Sequence, residues 1–215
     1  MSKKETVEAI QIKAPNFRRL EFTITGTAPL MQARFSAKAL LKLRTGMEAG
    51  STAKSKKPRE PRDFEADFRG AMHISSEGWT GVPAAAFRNA CIDVCRMVGF
   101  KMTHAKMSIF VEADGLDKVD GQPLVKLDAG DPERSELAVR NATGVVDIRA
   151  RPMWRKWSIK LRVRYDADQF TASDVANLLE RAGTQCGIGE GRPFSKESNG
   201  MGFGTFTIKS RKEAA

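Results

Sequence analysis

The sequence predicts an α+β fold built around an antiparallel sheet, on three observations. Apolar residues alternate with polar ones in several segments, most regularly in residues 157–165. Two segments, 82–98 and 171–182, have the apolar spacing of amphipathic helices and are each followed by glycine. Along the chain the elements follow the order strand, helix, strand, strand, helix, strand. This order predicts a ferredoxin-like (RNA-recognition-type) sheet with two helices, carrying an inserted basic loop and an inserted hairpin.

The first strand and first helix have clear limits. Residues 18–27 alternate Leu20, Phe22 and Ile24 with polar residues, which predicts a strand with one buried face that ends at Gly26. The helix at 82–98 has proline in its first turn, where a missing amide hydrogen costs nothing. The positive end of its dipole would favour a phosphate, and Arg88 lies in its first turns.

The second half of the pattern begins with strands predicted at 106–111 and 144–148, separated by Asp-Gly and Asp-Pro turns. The strand at 157–165 has an apolar side and a cationic side. A helix at 171–182 follows, with Thr171 as its hydroxyl cap.

We expect a single domain spanning residues 1–215, with insertions at about 33–70 and 112–156. The first insertion is strongly basic, and residues 36–43 could form a short helix. Its proline-punctuated middle, 50–62, is predicted to order only on binding, although such a charge run is often merely a solvated surface. The second insertion is rich in aspartate and glutamate, which favours contact with the basic face of a neighbouring subunit.

Composition favours a polyanionic partner. The 215 residues include 36 Lys and Arg against 26 Asp and Glu, for a net charge of +10. No apolar segment predicts a signal peptide or a membrane span, so we expect a cytoplasmic protein without membrane contact. Three cysteines fit buried structural thiols, and because no pair has the spacing of a zinc knuckle we expect neither metal nor cofactor.

The most informative segment is the glycine-rich loop, residues 187–204, in which two triplets of alternating glycines flank a polar stretch containing Arg192 and Lys196. Neither a Walker A loop nor a dinucleotide fingerprint fits, because the segment leads from a helix into a strand. Such a backbone bends freely and allows close approach, which predicts contact with an anion, most simply a phosphodiester chain. The alternative is a long hairpin that only connects two elements.

A second cationic segment lies at residues 149–156, predicted as a turn with four cations, Met153 and Trp154. A protruding tip of this composition can wedge between bases while its charges hold phosphates. Alternatively, Trp154 packs in the core.

Three motifs together resemble the RAMP superfamily, and most closely the backbone subunits of CRISPR effector complexes. They are the turn Gly26-Thr-Ala-Pro-Leu30, the small-residue helix start after Val82-Pro83, and the paired glycine clusters Gly187-Ile-Gly-Glu-Gly-Arg192 and Gly200-Met-Gly-Phe-Gly204. The resemblance implies subunits that assemble head to tail along a guide RNA, with a thumb-like hairpin that kinks the strand.

The chain also departs from that family. Ala84, Ala85 and Ala86 stand where the family has glycine and two serines, and Ile92 replaces an arginine. No aspartate occurs between Gly26 and Arg62, so the metal-dependent cleavage found in some relatives is not expected.

The sequence therefore predicts a non-catalytic protein that binds single-stranded nucleic acid, RNA in preference to DNA, and associates with itself along the strand. Two alternatives are a phage or plasmid relative that binds single-stranded DNA or mimics a CRISPR subunit, and an endoribonuclease using His73 or His104. A third is a protein-interaction module whose loop contacts another polypeptide. The predicted nucleic-acid ligands are Arg34, Lys38, Lys42, Arg44, Lys56, Lys57, Arg88, Arg149, Arg151, Met153, Trp154, Arg155, Lys156, Gly187, Gly189, Gly191, Arg192, Lys196, Gly200, Gly202 and Gly204.

Overall fold

The computed structural model describes residues 12–35, 37–48, 50, 61–140, 144–195 and 198–213. It is an α+β structure with two antiparallel sheets. The strands are β1 (Phe17–Gly26), β2 (Leu30–Met31), β3 (Gly81–Pro83), β4 (Ile109–Glu112), β5 (Gly115–Leu116), β6 (Pro123–Asp128), β7 (Glu133–Arg140), β8 (Val146–Trp154), β9 (Ser158–Asp166) and β10 (Phe206–Glu213). The helices are α1 (Ala37–Glu48), α2 (Phe64–Gly70), α3 (Ala84–Val94), α4 (Met102–Ser108) and α5 (Ala172–Arg181), and a π-helical turn, Ala182–Cys186, extends α5.

The larger sheet has seven strands in the order β10-β1-β9-β6-β3, and β4 and β5 pair additionally with β9 and β6. Strand β1 is central, because it is hydrogen-bonded along its length to β9 and over residues 20–26 to β10. The smaller sheet, β2-β8-β7, contains the long β7–β8 hairpin.

The main core lies between one face of the large sheet and helices α3 and α5. The alternating apolar residues predicted for the strands at 18–27 and 157–165 are buried on this face, with Phe22 and Leu161 fully excluded from solvent. The ring of Phe87 from α3 meets that of Phe206 from β10 edge-on, with 5.9 Å between centroids. Helix α5 begins with the predicted hydroxyl cap, because the Asp174 amide donates to Thr171 Oγ1 over 3.1 Å.

Several predicted boundaries are wrong. The first long helix is shorter than predicted, because Val82 and Pro83 belong to β3 and residues after Val94 turn away. Residues 102–108 form α4, so the strand predicted at 106–111 begins only at Ile109. The polar stretch between the two predicted middle strands contains β5, β6 and β7. None of the described helices has both the length and the apolar character needed to span a membrane.

Candidate nucleic-acid interface

The glycine-rich loop is fastened to the turn that follows β1. The Gly204 amide donates to Pro29 O over 2.7 Å and the Glu190 amide to Met31 O over 2.9 Å. Within the loop the two glycine clusters are joined, since the Ile188 amide donates to Gly204 O over 3.0 Å. As predicted, the segment leads from a helix into a strand, which here begins at Phe206. Its described backbone is therefore held by main-chain hydrogen bonds at several points.

All six glycines of this loop have positive φ, between 66° and 81°. They fall into two groups by what surrounds them. A Cβ on Gly204 would lie 1.8 Å from Ile188 O, and one on Gly189 would lie 2.4 Å from Met31 O. A Cβ on Gly200 or Gly202 would meet nothing within 4 Å. The first group thus permits close packing of the loop itself, whereas Gly200 and Gly202 leave open backbone that a ligand can approach.

A cleft of about 660 Å³ separates this loop from α3. One wall is the helix face that carries Ala86, Asn89 and Asp93, and the other is the loop from Gly187 to Asn199. Pro83 precedes α3 and makes no side-chain hydrogen bond to its first turn. The first amides of α3, which carry partial positive charge, therefore have no capping side chain at the edge of this cleft.

The charges around the cleft are partly offset by Glu190. Its carboxylate pairs with Arg149 over 3.1 Å and with Arg151 over 2.8 Å, and its side chain is only 16% exposed. Arg192 lines the cleft and donates from Nη1 to Gly189 O over 2.9 Å, which fixes the start of the loop. Glu190 lies between two of the predicted glycine ligands but is not itself among the residues predicted from sequence. A carboxylate flanked by two glycines was the available signal.

Two predicted phosphate ligands are engaged within the protein. The Arg34 side chain is 6% exposed and lies 3.3 Å from Asp117, which corrects its prediction as a surface contact. Arg88 donates to the carbonyl oxygens of Ile109 and Lys106, so it joins α3 to the start of β4 rather than facing the cleft. Arg34 is thus held beside a buried carboxylate, and Arg88 is held by two main-chain carbonyl groups.

The wedge prediction is wrong for both of its residues. Residues 146–154 form β8 rather than a protruding turn. Trp154 is 3% exposed and donates from Nε1 to Gly130 O over 3.1 Å, while Met153 is 8% exposed. The core alternative therefore holds for Trp154, because its ring is packed and its one polar hydrogen has a partner. Arg155 lies in the following turn and pairs with Glu133, and Lys156 is exposed.

The remaining basic predictions lie in the first insertion or the loop. Helix α1 contains Lys38 and Lys42, whose side chains lie outside the described residues, and Arg44, which pairs with Glu48 one turn later over 2.7 Å. Lys56, Lys57 and Lys196 also lie outside the described residues.

The cleft contains one histidine with a carboxylate behind it. His73 lines the cleft, and its Nδ1 lies 3.1 Å from Oδ2 of the buried Asp117. Burial lowers the pKa of His73 more than Asp117 raises it, so the imidazole is neutral at pH 7. The other candidate, His104, lies on α4, where its ring meets Phe100 edge-on.

The cysteines fit the structural interpretation. All three are buried, and burial raises the pKa of Cys91 to about 12. The described part of the chain contains no cluster of three or more histidine, cysteine or acidic side chains arranged to hold a metal ion.

Comparison with known proteins does not assign the chain to a family. No protein-family model matches the chain, and no curated protein matches it.

Proposed function

We propose that this chain binds single-stranded nucleic acid without cleaving it, in the cleft between the glycine-rich loop and α3. The observation that carries the proposal is the uncapped start of α3 opposite the loop that carries Arg192. Helix amides and glycine backbone bind phosphate oxygens through hydrogen bonds that do not depend on base sequence. The net charge of +10 strengthens attraction to any polyphosphate chain.

We also propose that the fold is ferredoxin-like and that the chain is related to the RAMP superfamily, which its motifs resemble. Along the chain, β1, α3, β4, β9, α5 and β10 follow the order strand, helix, strand, strand, helix, strand. Their strands lie in the order β10-β1-β9-β4 with antiparallel neighbours, which supports a ferredoxin-like core. On this basis a RAMP-type subunit that assembles along a guide RNA in the cytoplasm remains our preferred interpretation.

In this interpretation the β7–β8 hairpin takes the place of the thumb. Its tip region has exposed apolar side chains, with Val145 60%, Val146 56% and Ile148 48% exposed. These side chains, rather than Met153 and Trp154, are the candidates for a wedge between bases. Arg140, at the end of β7, lines the cleft and would hold the adjacent phosphate.

A pair of alanines in the first turn of α3 provides a sharp test. Ala86 lines the cleft, whereas Ala85 is exposed and points elsewhere. A carboxylate at either position interacts favourably with the helix dipole, but Ala86 packs partly against the core, so urea unfolding of both variants must separate a loss of affinity from a loss of stability. Only Ala86→Asp places its charge where the phosphate is proposed to bind. We expect it to weaken binding of a labelled oligouridylate at least ten-fold more than Ala85→Asp does.

Salt titration gives the second measurement. Phosphate-dominated binding to a single strand weakens with a logarithmic slope of about −0.7 per phosphate neutralised. Arg192→Ala should reduce the slope together with the affinity. If Ala86→Asp and Ala85→Asp bind equally and Arg192→Ala changes neither slope nor affinity, the cleft is not the site. Competition between oligouridylate and oligothymidylate then distinguishes RNA preference from DNA preference.

The His73–Asp117 pair supports a second candidate function, cleavage of RNA. With Nδ1–H donating to Asp117, Nε2 of the neutral imidazole would accept the proton of a ribose 2′-OH. The O2′ would then attack phosphorus as the P–O5′ bond breaks and O5′ takes a proton from water, leaving a 2′,3′-cyclic phosphate and a 5′-hydroxyl, and His73 would return its proton to the solvent. This candidate requires that purified protein shorten RNA and that His73→Ala, but not His104→Ala, abolish the cleavage. Intact RNA after prolonged incubation excludes it.

A further inference from the structure

A second groove, of about 730 Å³, lies at the opposite end of β1 from the glycine-rich loop. We call it the arginine groove and define it by Phe17, Arg18, Arg19, Arg164 and Thr171. The other described residues that line it are Leu20, Tyr165, Ala167, Phe170 and Ala172, so no aspartate or glutamate of the described chain is among them. Because side chains alternate along a strand, Phe17, Arg19 and Arg164 project from the face of the sheet opposite the helices, whereas Arg18, which pairs with Tyr165, projects from the helix face. The lining residues themselves include no carboxylate, which favours an anionic occupant.

Arg164 differs from its neighbours in how it is held. Its Cζ lies 5.0 Å from the ring centroid of Phe17 and 5.0 Å from that of Phe110. Its Nε is buried without a hydrogen-bond partner, and within the described residues no carboxylate forms an ion pair with it. By contrast, Arg162 on the same strand pairs with Asp114, and Arg19 pairs with Glu112 over 2.9 Å. Two aromatic rings therefore orient the Arg164 guanidinium, and no aspartate or glutamate among the described residues pairs with it.

Phe17 supplies an aromatic surface beside these charges. Its side chain is 39% exposed, and its ring meets Phe110 edge-on with centroids 5.7 Å apart. An exposed ring next to arginines is the arrangement that stacks an unpaired base while cations hold the adjacent phosphate. A purely apolar partner would instead have to desolvate the arginines, which is costly.

We propose that the arginine groove is a second contact site for the same single-stranded nucleic acid. A base would stack on Phe17, and the neighbouring phosphate would lie against Arg164, which projects from the same face of the sheet. This inference depends on the proposed function. Because a ten-residue strand at ~3.3 Å per residue is about 30 Å long, the groove and the cleft lie too far apart for one nucleotide. A strand of several nucleotides would have to reach both.

The test compares groove variants with a cleft variant on one labelled oligouridylate long enough to reach both sites. Phe17→Leu removes the ring but keeps an apolar side chain, and Arg164→Gln removes the positive charge beside that ring. Lys101→Ala, at an exposed position before α4, is the matched control for loss of one positive charge. We expect Phe17→Leu to weaken binding by about five-fold to over a hundred-fold, the range for loss of one base stack. Arg164→Gln should weaken binding more than Lys101→Ala and reduce the salt slope by about 0.7.

The outcomes separate this inference from the function on which it depends. If Phe17→Leu and Arg164→Gln bind like the control while Ala86→Asp and Arg192→Ala weaken binding, the groove is not a contact site and the cleft proposal stands. If the wild-type protein does not bind the oligonucleotide, both proposals fail. Urea unfolding of each variant identifies any loss of affinity caused by misfolding, and Phe17→Tyr, which keeps the stacking ring, should restore binding lost in Phe17→Leu.

Discussion

Replacing Gly204 by alanine should destabilise the protein far more than the same change at Gly202. Both residues have positive φ, +68° and +81°, so the left-handed backbone costs each alanine ~1–2 kcal/mol. At Gly204 the new Cβ would also lie 1.8 Å from Ile188 O, and that contact must lengthen by about 1 Å. This movement strains two backbone hydrogen bonds, Ile188 N to Gly204 O and Gly204 N to Pro29 O, each contributing ~1 kcal/mol. The expected loss is therefore about 3–4 kcal/mol for Gly204→Ala and ~1–2 kcal/mol for Gly202→Ala.

Urea unfolding measures this difference directly. With a typical slope of ~2 kcal/mol per molar urea, the midpoint of Gly204→Ala should lie about 1 M below that of Gly202→Ala, with the slopes unchanged. Equal midpoints would refute the argument, because they would mean that Ile188 and Gly204 are not in close contact. A large loss of stability in Gly202→Ala would equally contradict the open backbone described around it.

Three further predictions concern buried and charged side chains. Trp154→Ala should cost ~3–5 kcal/mol of unfolding free energy, as for a packed tryptophan, whereas a surface wedge would cost almost nothing in urea unfolding. Glu190→Gln removes the carboxylate that holds Arg149 and Arg151, so we expect tighter oligonucleotide binding with a steeper salt slope in the titration. Weaker binding would show that Glu190 positions those arginines. The pKa of His73 is lower in the folded protein than its ordinary value of 6.5, so the unfolded chain binds the proton first as pH falls. Stability should therefore be fully present above pH 6.5 and decline below it, and urea midpoints of His73→Gln should decline less over the same range.

The sequence predicted best where the apolar period was long and unbroken. Strand β9 lies within one residue of its predicted limits, and so does β1, because each buries one face of alternating side chains against the same helices. Prediction failed at α4, where Met102 to Ser108 has too few apolar residues to show a helical period. It also failed at β8, where arginines at alternate positions were interpreted as a cationic turn. There the arginines face Glu190, a partner forty residues away that local pattern cannot reveal.

In the candidate site, too, local sequence pattern does not reveal contacts between residues that are distant in sequence. The glycine-rich loop and the start of α3 were both identified from sequence, and the cleft between them brings them together. Arg34 and Arg88 were predicted as ligands from charge alone, but each has an internal partner distant in sequence. The arginine groove was missed because Phe17 and Arg164 become neighbours only through antiparallel pairing of β1 with β9.

The large sheet cannot be completed until strand β10 has been synthesised, because β10 pairs with β1. Strand β1, which lies second from the edge of the large sheet, hydrogen-bonds over Leu20–Gly26 with residues 206–213, nearly two hundred positions later. Contacts of such separation form slowly, and an N-terminal region emerging from the ribosome must wait for them. During synthesis the edge of β1 that pairs with β10 therefore stays unpaired until residues 206–213 have been made. That interval exposes a template for wrong pairing, and chaperone binding to nascent chains that lack β10 should be correspondingly strong.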